Sequence, residues 1–138
     1  MASDLLCCTD LPFQIDEQAL WDRLGLTEHP DEAEDVRSIL HQATESAHPK
    51  GLARRCRVTG RRGGEHVTIQ GEVFTSRLLV RQFEDGDAVY PFVLTVGEEL
   101  ETLQPSEDDL LARMCWDEVK TAVMRASHAA FQQEMARH

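Results

Sequence analysis

Apolar residues recur at helical spacing in the first third of the chain, which predicts two helices there. The first apolar stripe lies at Ile15, Ala19, Leu20 and Leu24. Asp16 is a suitable N-cap for this helix and Gly25 a suitable stop. The second stripe lies at Val36, Ile39, Leu40 and Ala43. Acidic residues in its first turn interact favourably with the helix dipole and stabilise the helix start. We expect the helix to end before Pro49.

The middle of the chain changes to an alternating, β-branched pattern that predicts strands. The segments "ARRCRVTG" and "EHVTIQG" each alternate, and "GRRGG" between them is typical of a hairpin turn. The next segment, "FTSRLLVRQF", is ambiguous, with Thr75 or Ser76 as the cap of a short helix. "AVYPFVLTV" has apolar residues on both faces, which predicts a buried central strand, although Pro91 cannot donate to a ladder.

The last third of the chain predicts one long helix. Ser106 and Asp109 have the spacing of a capping box at its start. The apolar face predicted for this helix consists of Leu110, Met114, Val119, Val123, Ala126 and Ala130. Together the segments predict an α+β fold, in which helices flank a small, largely antiparallel sheet and a long C-terminal helix closes the chain.

The length of 138 residues predicts a single domain, 1–138, with a core of its own. The net charge of −11 argues against nucleic-acid binding, which needs Lys and Arg to neutralise phosphates. No apolar stretch reaches the roughly 18 residues of a membrane helix. The N-terminal residues lack the pattern of a secretory signal, so we expect a cytoplasmic protein with no membrane partner.

The charge is distributed unevenly along the chain. Residues 50–62 hold six basic residues and no acid, whereas residues 97–109 hold six acids and no base. The simpler interpretation is that both charged segments lie on the solvated surface of the protein. The alternative is that the basic segment docks an acidic partner or an anionic ligand.

Catalytic and metal-binding patterns are missing from the sequence. The four cysteines (Cys7, Cys8, Cys56 and Cys115) form no C-x-x-C pair, and the six histidines lack ligand spacing. We therefore expect thiols that are mostly buried and not bridged, and no metal site. No nucleophile elbow is present, so no catalytic residue is assigned.

The stretch "YPFVLTVGEELE", residues 90–101, combines an apolar run with a cluster of carboxylates. A strand that ends at Gly97 and a helix that begins with Glu98, Glu99 and Glu101 would explain it, because carboxylates favour a helix start. Acid–base catalysis by these carboxylates is the weaker alternative, since it requires a perturbed pKa.

Several of these segments occur in the same order in one known family. "HPKGLARRCRVTG" and "HVTIQGEVFTSRLLVRQFEDGDAVYPFVLTVGEELE" resemble its core, with a Phe-x-Ser-Arg helix start and a strand that closes in Thr-x-Gly-x-Glu-Leu-Glu. "DDLLARMCWDEVKTAVMRASHAAFQQ" is similar to its closing helix, in which Asp117 lies among small apolar residues. The family is the activation domain of cobalamin-dependent methionine synthase and its standalone relatives, and the resemblance covers residues 14–136.

The resemblance implies a twisted antiparallel sheet flanked by helices, and a function in methionine biosynthesis. In methionine synthase this domain binds S-adenosylmethionine and presents its methyl group to an inactivated cobalamin, while a donor such as flavodoxin supplies the electron. The protein contributes position and binding to chemistry that belongs to the cofactors. For this chain the resemblance implies S-adenosylmethionine as a ligand, and cobalamin only through a partner protein. The turn at Thr95, Gly97 and Glu98 is the candidate cofactor-binding region.

The implied partner is a corrinoid protein or a cobalamin-dependent methyltransferase, to which this chain would be at most an accessory subunit. The candidate docking residues are the arginines of the basic segment, namely Arg54, Arg55, Arg57, Arg61 and Arg62. A homodimer is a further arrangement that the resemblance leaves open. The family's Arg-x-x-x-Gly-Tyr motif has no counterpart, because the sequence contains no Gly-Tyr pair. The alternative is therefore a non-enzymatic interaction module that has lost S-adenosylmethionine binding.

Overall fold

The fold is α+β, as the sequence predicts, in a computed structural model that describes residues 4–138. Short strands in small antiparallel sheets occupy the middle of the chain, and a 28-residue helix closes it. The elements in chain order are β1 (Leu5–Cys8), α1 (Glu17–Leu24), α2 (Pro30–Ser46), β2 (Lys50–Arg54), β3 (Cys56–Arg62), β4 (His66–Ile69), β5 (Glu72–Thr75), α3 (Arg77–Gln82), β6 (Ala88–Val89), β7 (Phe92–Thr95), α4 (Glu98–Thr102) and α5 (Leu110–Arg137).

The chain forms two compact units. The strand unit consists of the residues up to Cys7 together with Leu52–Val93, and the helical unit consists of Cys8–Gly51 together with Leu94–His138. Each unit has its own cluster of buried apolar side chains. The expectation of one domain over residues 1–138 stays a prediction, because compactness does not show which part folds alone.

The strand unit is built on an antiparallel sheet with the strand order β5-β4-β3-β6. Its buried side chains are Cys56, Val58, Val67, Ile69, Val80 and Val89. The predicted hairpin between β3 and β4 is confirmed, and Gly63 lies in its turn with φ 61°. The predicted turn was too long, because Gly60, Arg61 and Arg62 pair with β4 as part of β3. A break in register between Val58 and Gly60 makes this pairing irregular.

The ambiguous segment after β5 is a helix, α3, capped by Ser76 and not by Thr75. The Ser76 hydroxyl accepts a hydrogen bond from the Leu79 N–H at 3.2 Å. This bond satisfies one of the N–H groups that the first turn leaves without an intrahelical partner.

The prediction of a buried central strand over "AVYPFVLTV" is wrong. The segment forms two short strands, β6 and β7, separated by Tyr90 and Pro91. β7 lies at the edge of a three-stranded sheet with the order β1-β2-β7, and Val93 is 71% exposed. The Pro91 carbonyl accepts a hydrogen bond from the Arg54 N–H at 3.1 Å, but proline has no N–H with which to continue a ladder. An apolar run on both faces therefore did not indicate burial here.

The two N-terminal helices of the helical unit agree with the predictions. The Asp16 side chain accepts a hydrogen bond from the Ala19 N–H at 3.1 Å, and Gly25 ends α1 in the left-handed conformation at φ 70°. The predicted apolar stripe of α2 is buried, with Val36 and Ala43 fully inaccessible to solvent. Acids in the first turn of α2 take the place of a side-chain cap, which His29 does not provide.

The predicted capping box of α5 is wrong. Asp109 is itself the N-cap, and its carboxylate accepts a hydrogen bond from the Ala112 N–H at 3.0 Å. The helix therefore begins at Leu110, three residues later than a cap at Ser106 would place it. The buried face is also shifted from the predicted one, since Leu110 and Met114 are exposed. The buried residues of α5 are Ala112, Cys115, Val119, Val123, Ser127 and Phe131.

Within residues 4–138 no helix is long and apolar enough to cross a membrane.

Gly51 lies against the ring of Phe131 inside the helical unit, and replacing it tests this packing. A Cβ at position 51 would clash with three ring carbons of a side chain that has no exposed surface. We expect Gly51→Ala to lower the free energy of unfolding by about 1–3 kcal/mol, the usual cost of overpacking. Urea denaturation measures this change.

The matched control for this substitution is Gly64→Ala, because a Cβ at position 64 meets nothing within 4 Å. Adding Phe131→Leu to Gly51→Ala removes part of the clashing ring, so the double variant should lose less stability than the two single losses predict together. Equal stability of Gly51→Ala and Gly64→Ala would contradict the close contact.

Candidate functional site

The candidate cofactor-binding region is a tight turn between β7 and α4. The Thr95 hydroxyl accepts a hydrogen bond from the Gly97 N–H at 3.1 Å. Gly97 is the N-cap residue of α4 and contributes no side-chain cap. Glu98, Glu99 and Glu101 lie in the first turn of that helix, where negative charge is favourable. The predicted strand-to-helix turn is confirmed.

A second backbone segment lies directly against this turn. The His48 N–H donates to the Val96 carbonyl at 2.8 Å. A Cβ built at Gly97 would lie 3.2 Å from the His48 Cβ and 3.3 Å from the His48 carbonyl oxygen. Gly97 has φ 95°, a conformation that side chains with a Cβ rarely adopt. Two constraints therefore require glycine here, namely the backbone angle and the proximity of His48.

The nearest cavity is lined by residues adjacent to Thr95, Gly97 and Glu98 and not by these three themselves. It has a volume of about 320 Å³ and lies between α4 and α5. The residues that line it are Val96, Leu100, Glu101, Asp117, Lys120, Thr121 and Met124. We call it the α4–α5 cavity. The candidate turn predicted from the sequence thus adjoins this cavity. However, the side chains that face the cavity belong to residues next to Thr95, Gly97 and Glu98 and to α5.

The α4–α5 cavity has an apolar floor and a charged rim. Leu100 is fully buried and Val96 is 6% exposed, whereas Glu101 and Asp117 are exposed. The Lys120 ammonium lies 3.6 Å from an Asp117 carboxylate oxygen. Two carboxylates and one ammonium give the rim a formal charge of −1. A rim of this composition favours a ligand that carries positive charge.

Lys120 is positioned from two sides. Besides its ion pair with Asp117, its ammonium lies 5.7 Å from the centroid of the Trp116 ring, within the range of a cation–π contact. The Thr121 hydroxyl donates to the Asp117 carbonyl at 2.8 Å and so is already used within α5. An ammonium beside a carboxylate can bind both ends of a zwitterion, such as the amino-acid portion of a ligand.

The titratable side chains that line the α4–α5 cavity are Glu101, Asp117 and Lys120. No serine, cysteine or histidine lines it, and both of its carboxylates are exposed. Within the described part of the chain no group of three or more His, Cys, Asp or Glu residues is arranged to hold a metal ion.

The cysteines are distributed between the surface and the interior. Cys7 is exposed, Cys8 is partly buried, and Cys56 and Cys115 are buried. Burial raises the pKa of the Cys115 thiol, and the nearby Asp109 carboxylate raises it further. A raised pKa leaves this thiol protonated and a poor nucleophile. Cys115 therefore serves as a small apolar group in the core.

The arginines of the basic segment are all exposed, but they do not lie on one face of the sheet. Arg61 pairs across the strands with the fully buried Val67, so it leaves β3 on the core side. Its guanidinium donates to the Val80 carbonyl of α3. The irregular pairing near Gly60 produces this placement, because a one-residue slip reverses which face a side chain occupies.

The remaining candidate docking arginines have fewer constraints. The Arg57 guanidinium donates to the Gly86 carbonyl at 3.0 Å. Arg62 pairs across the strands with His66, on the face opposite to that of Arg61. Among residues 4–138, the side chains of Arg54, Arg55 and Arg62 form no ion pair. Their positive charge is available to a partner.

Comparison of the chain with models of protein families, with curated proteins and with solved structures found no match.

Most of the side chains that line the α4–α5 cavity were not predicted from the sequence. Lys120 and Thr121 lie about one helical turn after Asp117, which the resemblance had singled out, and Met124 lies about two turns after it. The signal for them was the helical period itself, because residues three and four positions after Asp117 lie on its side of α5. Glu101 was recognised only as part of the helix start.

Gly97→Ala tests the proximity of the candidate turn to His48. Gly86→Ala is a close control, because Gly86 has φ 90° but a Cβ there meets nothing within 4 Å. Both positive-φ positions introduce backbone strain, of about 1–3 kcal/mol each, when a Cβ is added. We expect Gly97→Ala to lower the free energy of unfolding further, by roughly 1 kcal/mol or more, because His48 must also shift. Equal losses in urea denaturation would show that the proximity has no energetic weight.

Proposed function

We propose that this chain is a standalone relative of the activation domain of cobalamin-dependent methionine synthase, and that it assists the reactivation of a separate corrinoid methyltransferase. The observation that supports this proposal best is the α4–α5 cavity. It adjoins the turn that closes the Thr-x-Gly-x-Glu-Leu-Glu segment, and it is walled by the helix that carries Asp117. These are two of the segments on which the family resemblance depends.

The residues of the α4–α5 cavity fit S-adenosylmethionine chemically. That ligand carries a sulfonium and an ammonium, for which Glu101 and Asp117 are suitable partners, and a carboxylate, for which Lys120 is suitable. Val96 and Leu100 supply an apolar floor for the uncharged portion. A volume of about 320 Å³ is at the lower end of the range of small-molecule sites. When bound, the ligand would supply the methyl group, and cobalamin would come only with the partner protein.

The exposed arginines of the strand unit would contribute to the second part of the function, which is docking to the corrinoid partner. Arg54, Arg55 and Arg62 hold charge that no acid of the described chain neutralises. In a chain with a net charge of −11, exposed arginines of this kind can orient an acidic partner and accelerate association.

The alternative function is a non-enzymatic interaction module without S-adenosylmethionine. Two observations favour it. The sequence holds no Gly-Tyr pair, and the Asp117 side chain is 96% exposed, so its carboxylate remains hydrated and would bind a cation less strongly.

Isothermal titration with S-adenosylmethionine and, in parallel, S-adenosylhomocysteine tests the ligand. We expect saturable binding of both ligands and tighter binding of S-adenosylmethionine. Its sulfonium is positive and can be attracted by Glu101 or Asp117, whereas S-adenosylhomocysteine has a neutral thioether at that position. Glu101→Gln and Asp117→Asn should each weaken S-adenosylmethionine binding by about three- to tenfold.

Glu107→Gln is the matched control for these two substitutions, because it removes an exposed acid that does not line the α4–α5 cavity. It should leave binding of S-adenosylmethionine unchanged. Absence of heat at high concentrations of both ligands would favour the interaction module and reject the cofactor role.

Charge reversal in the basic segment tests docking. We expect the triple variant Arg54→Glu, Arg55→Glu and Arg62→Glu to slow association with a purified, cobalamin-loaded methyltransferase that lacks an activation domain, by roughly tenfold at low salt. Surface plasmon resonance at several salt concentrations measures the rate. The control reverses Arg113 and Arg137, which are exposed on α5. An unchanged rate in the triple variant would exclude the arginines as the docking surface.

A further inference from the structure

A second cavity lies on another side of α5, against α1 and the segment that precedes it. Its volume is about 270 Å³. Its apolar wall consists of Ile15, Ala19, Leu20, Ala122, Ala126 and Ala129. We call it the α1–α5 cavity. None of its residues lines the α4–α5 cavity, so the two sites can be altered separately.

The sequence explains why this space is unfilled. Where α1 and α5 face each other, Ala19 meets a surface of α5 that presents Ala122, Ala126 and Ala129. Ala19 and Ala129 are exposed and Ala122 and Ala126 are partly buried, so the space is an open cleft, in which four methyl groups leave room that larger side chains would occupy. Leu20 is 2% exposed and anchors α1 in the core, so α1 cannot simply move closer to fill the gap.

The charged groups around this apolar wall differ in whether they already have partners. The Arg23 guanidinium is bound to the Glu118 carboxylate at 3.3 Å. The Asp16 carboxylate caps α1 by accepting the Ala19 N–H. Arg125 also lines the cavity, and its guanidinium has no ion pair or hydrogen bond with any other described residue. Among the ionic side chains that line the cavity, Arg125 is thus the one without a partner in the described part of the chain.

We propose that the α1–α5 cavity binds a small molecule with an apolar body and a single anionic head group, such as a medium-chain carboxylate. The apolar body lies against the alanine wall, where removal of its surface from water stabilises the complex. The carboxylate pairs with Arg125 at the rim, and the planar guanidinium can bind both of its oxygens. This function is additional to the proposed role in reactivation and does not depend on it.

The neighbouring cavity at α2 illustrates what distinguishes this site. That cavity is larger, at about 530 Å³, and it also contains an arginine, Arg37. However, the Arg37 guanidinium is bound to Glu17 at 3.0 Å and also to Glu34. Two carboxylates thus more than balance the single positive charge of Arg37, which disfavours an anionic ligand there. Of the two cavities, the α1–α5 cavity is therefore the one that combines an apolar wall with an arginine that has no partner among the described residues.

Three probes with the same eight-carbon tail test the proposal, namely octanoate, 1-octanol and octylammonium at concentrations where each is monomeric. Titration is followed by ¹H–¹⁵N correlation spectra of the intact chain. We expect the amide signals of Ala19, Ala122, Ala126 and Ala129 to shift, with an affinity order of octanoate, then octanol, then octylammonium. Equal affinities for the three head groups, or shifts elsewhere in the chain, would overturn the proposal.

Variants separate the contributions of the cation and of the wall. Arg125→Gln should weaken octanoate binding by about five- to tenfold and leave octanol binding unchanged, because only the ion pair is lost. Arg113→Gln, an exposed arginine of the same helix that does not line the cavity, should change neither. An equal effect of the two arginine substitutions would reject the role of Arg125.

Filling the cavity tests the apolar wall. Ala126→Leu should abolish binding of octanoate and octanol, and Ala129→Leu, at an exposed position, gives the same test if the first variant folds poorly. Circular dichroism checks the folding of each. Retained binding in a folded variant would contradict the proposal. S-adenosylmethionine binding should be unaffected by these leucines, so failure of one ligand does not imply failure of the other.

Discussion

The packing of α5 against α2 is the constraint on which the helical unit depends. Val119 and Val123 of α5 and Val36 of α2 have no exposed surface, and they belong to one continuous cluster of buried side chains. Each buried aliphatic side chain of this kind contributes roughly 1.5–3 kcal/mol through removal from water. Because this seam determines the rotation of α5 about its axis, it also determines which residues of α5 face its other neighbours.

The two cavities follow from that rotation. Asp117, Lys120 and Thr121 lie on the side of α5 that faces α4, whereas Glu118, Ala122 and Arg125 lie on the side that faces α1. Helix α5 thus separates the α4–α5 cavity, whose rim is net negative, from the α1–α5 cavity, whose wall is apolar and whose Arg125 has no ion pair with a described residue. None of the carboxylates that line the two cavities is buried.

The strand unit illustrates how a small irregularity changes a surface. The basic segment has a high density of arginine, but the irregular pairing of β3 with β4 sends Arg61 to the core side of the sheet, where it bonds the end of α3. Arg62 emerges on the opposite face. A charge pattern that is continuous in sequence is therefore divided between two surfaces, and only part of it is available to a partner.

Local interactions determined the elements that the sequence predicted correctly. Asp16, Ser76 and Gly25 act within one helical turn, and the stripe of α2 follows from the helical period alone, so these features could be inferred from neighbouring residues. The misplaced cap of α5 is a local failure, since Asp109 and not Ser106 caps the helix, but the failures in predicting burial involve distant partners. Burial of β7 depended on its place in a sheet, and the buried face of α5 depended on α2 and not on the apolar residues Leu110 and Met114. The same holds for the candidate sites. The sequence determined the glycine turn at Gly97, whereas only the tertiary structure brought Glu101 and Asp117 to one cavity and left Arg125 beside an alanine wall, because no local pattern relates residues so far apart in the chain.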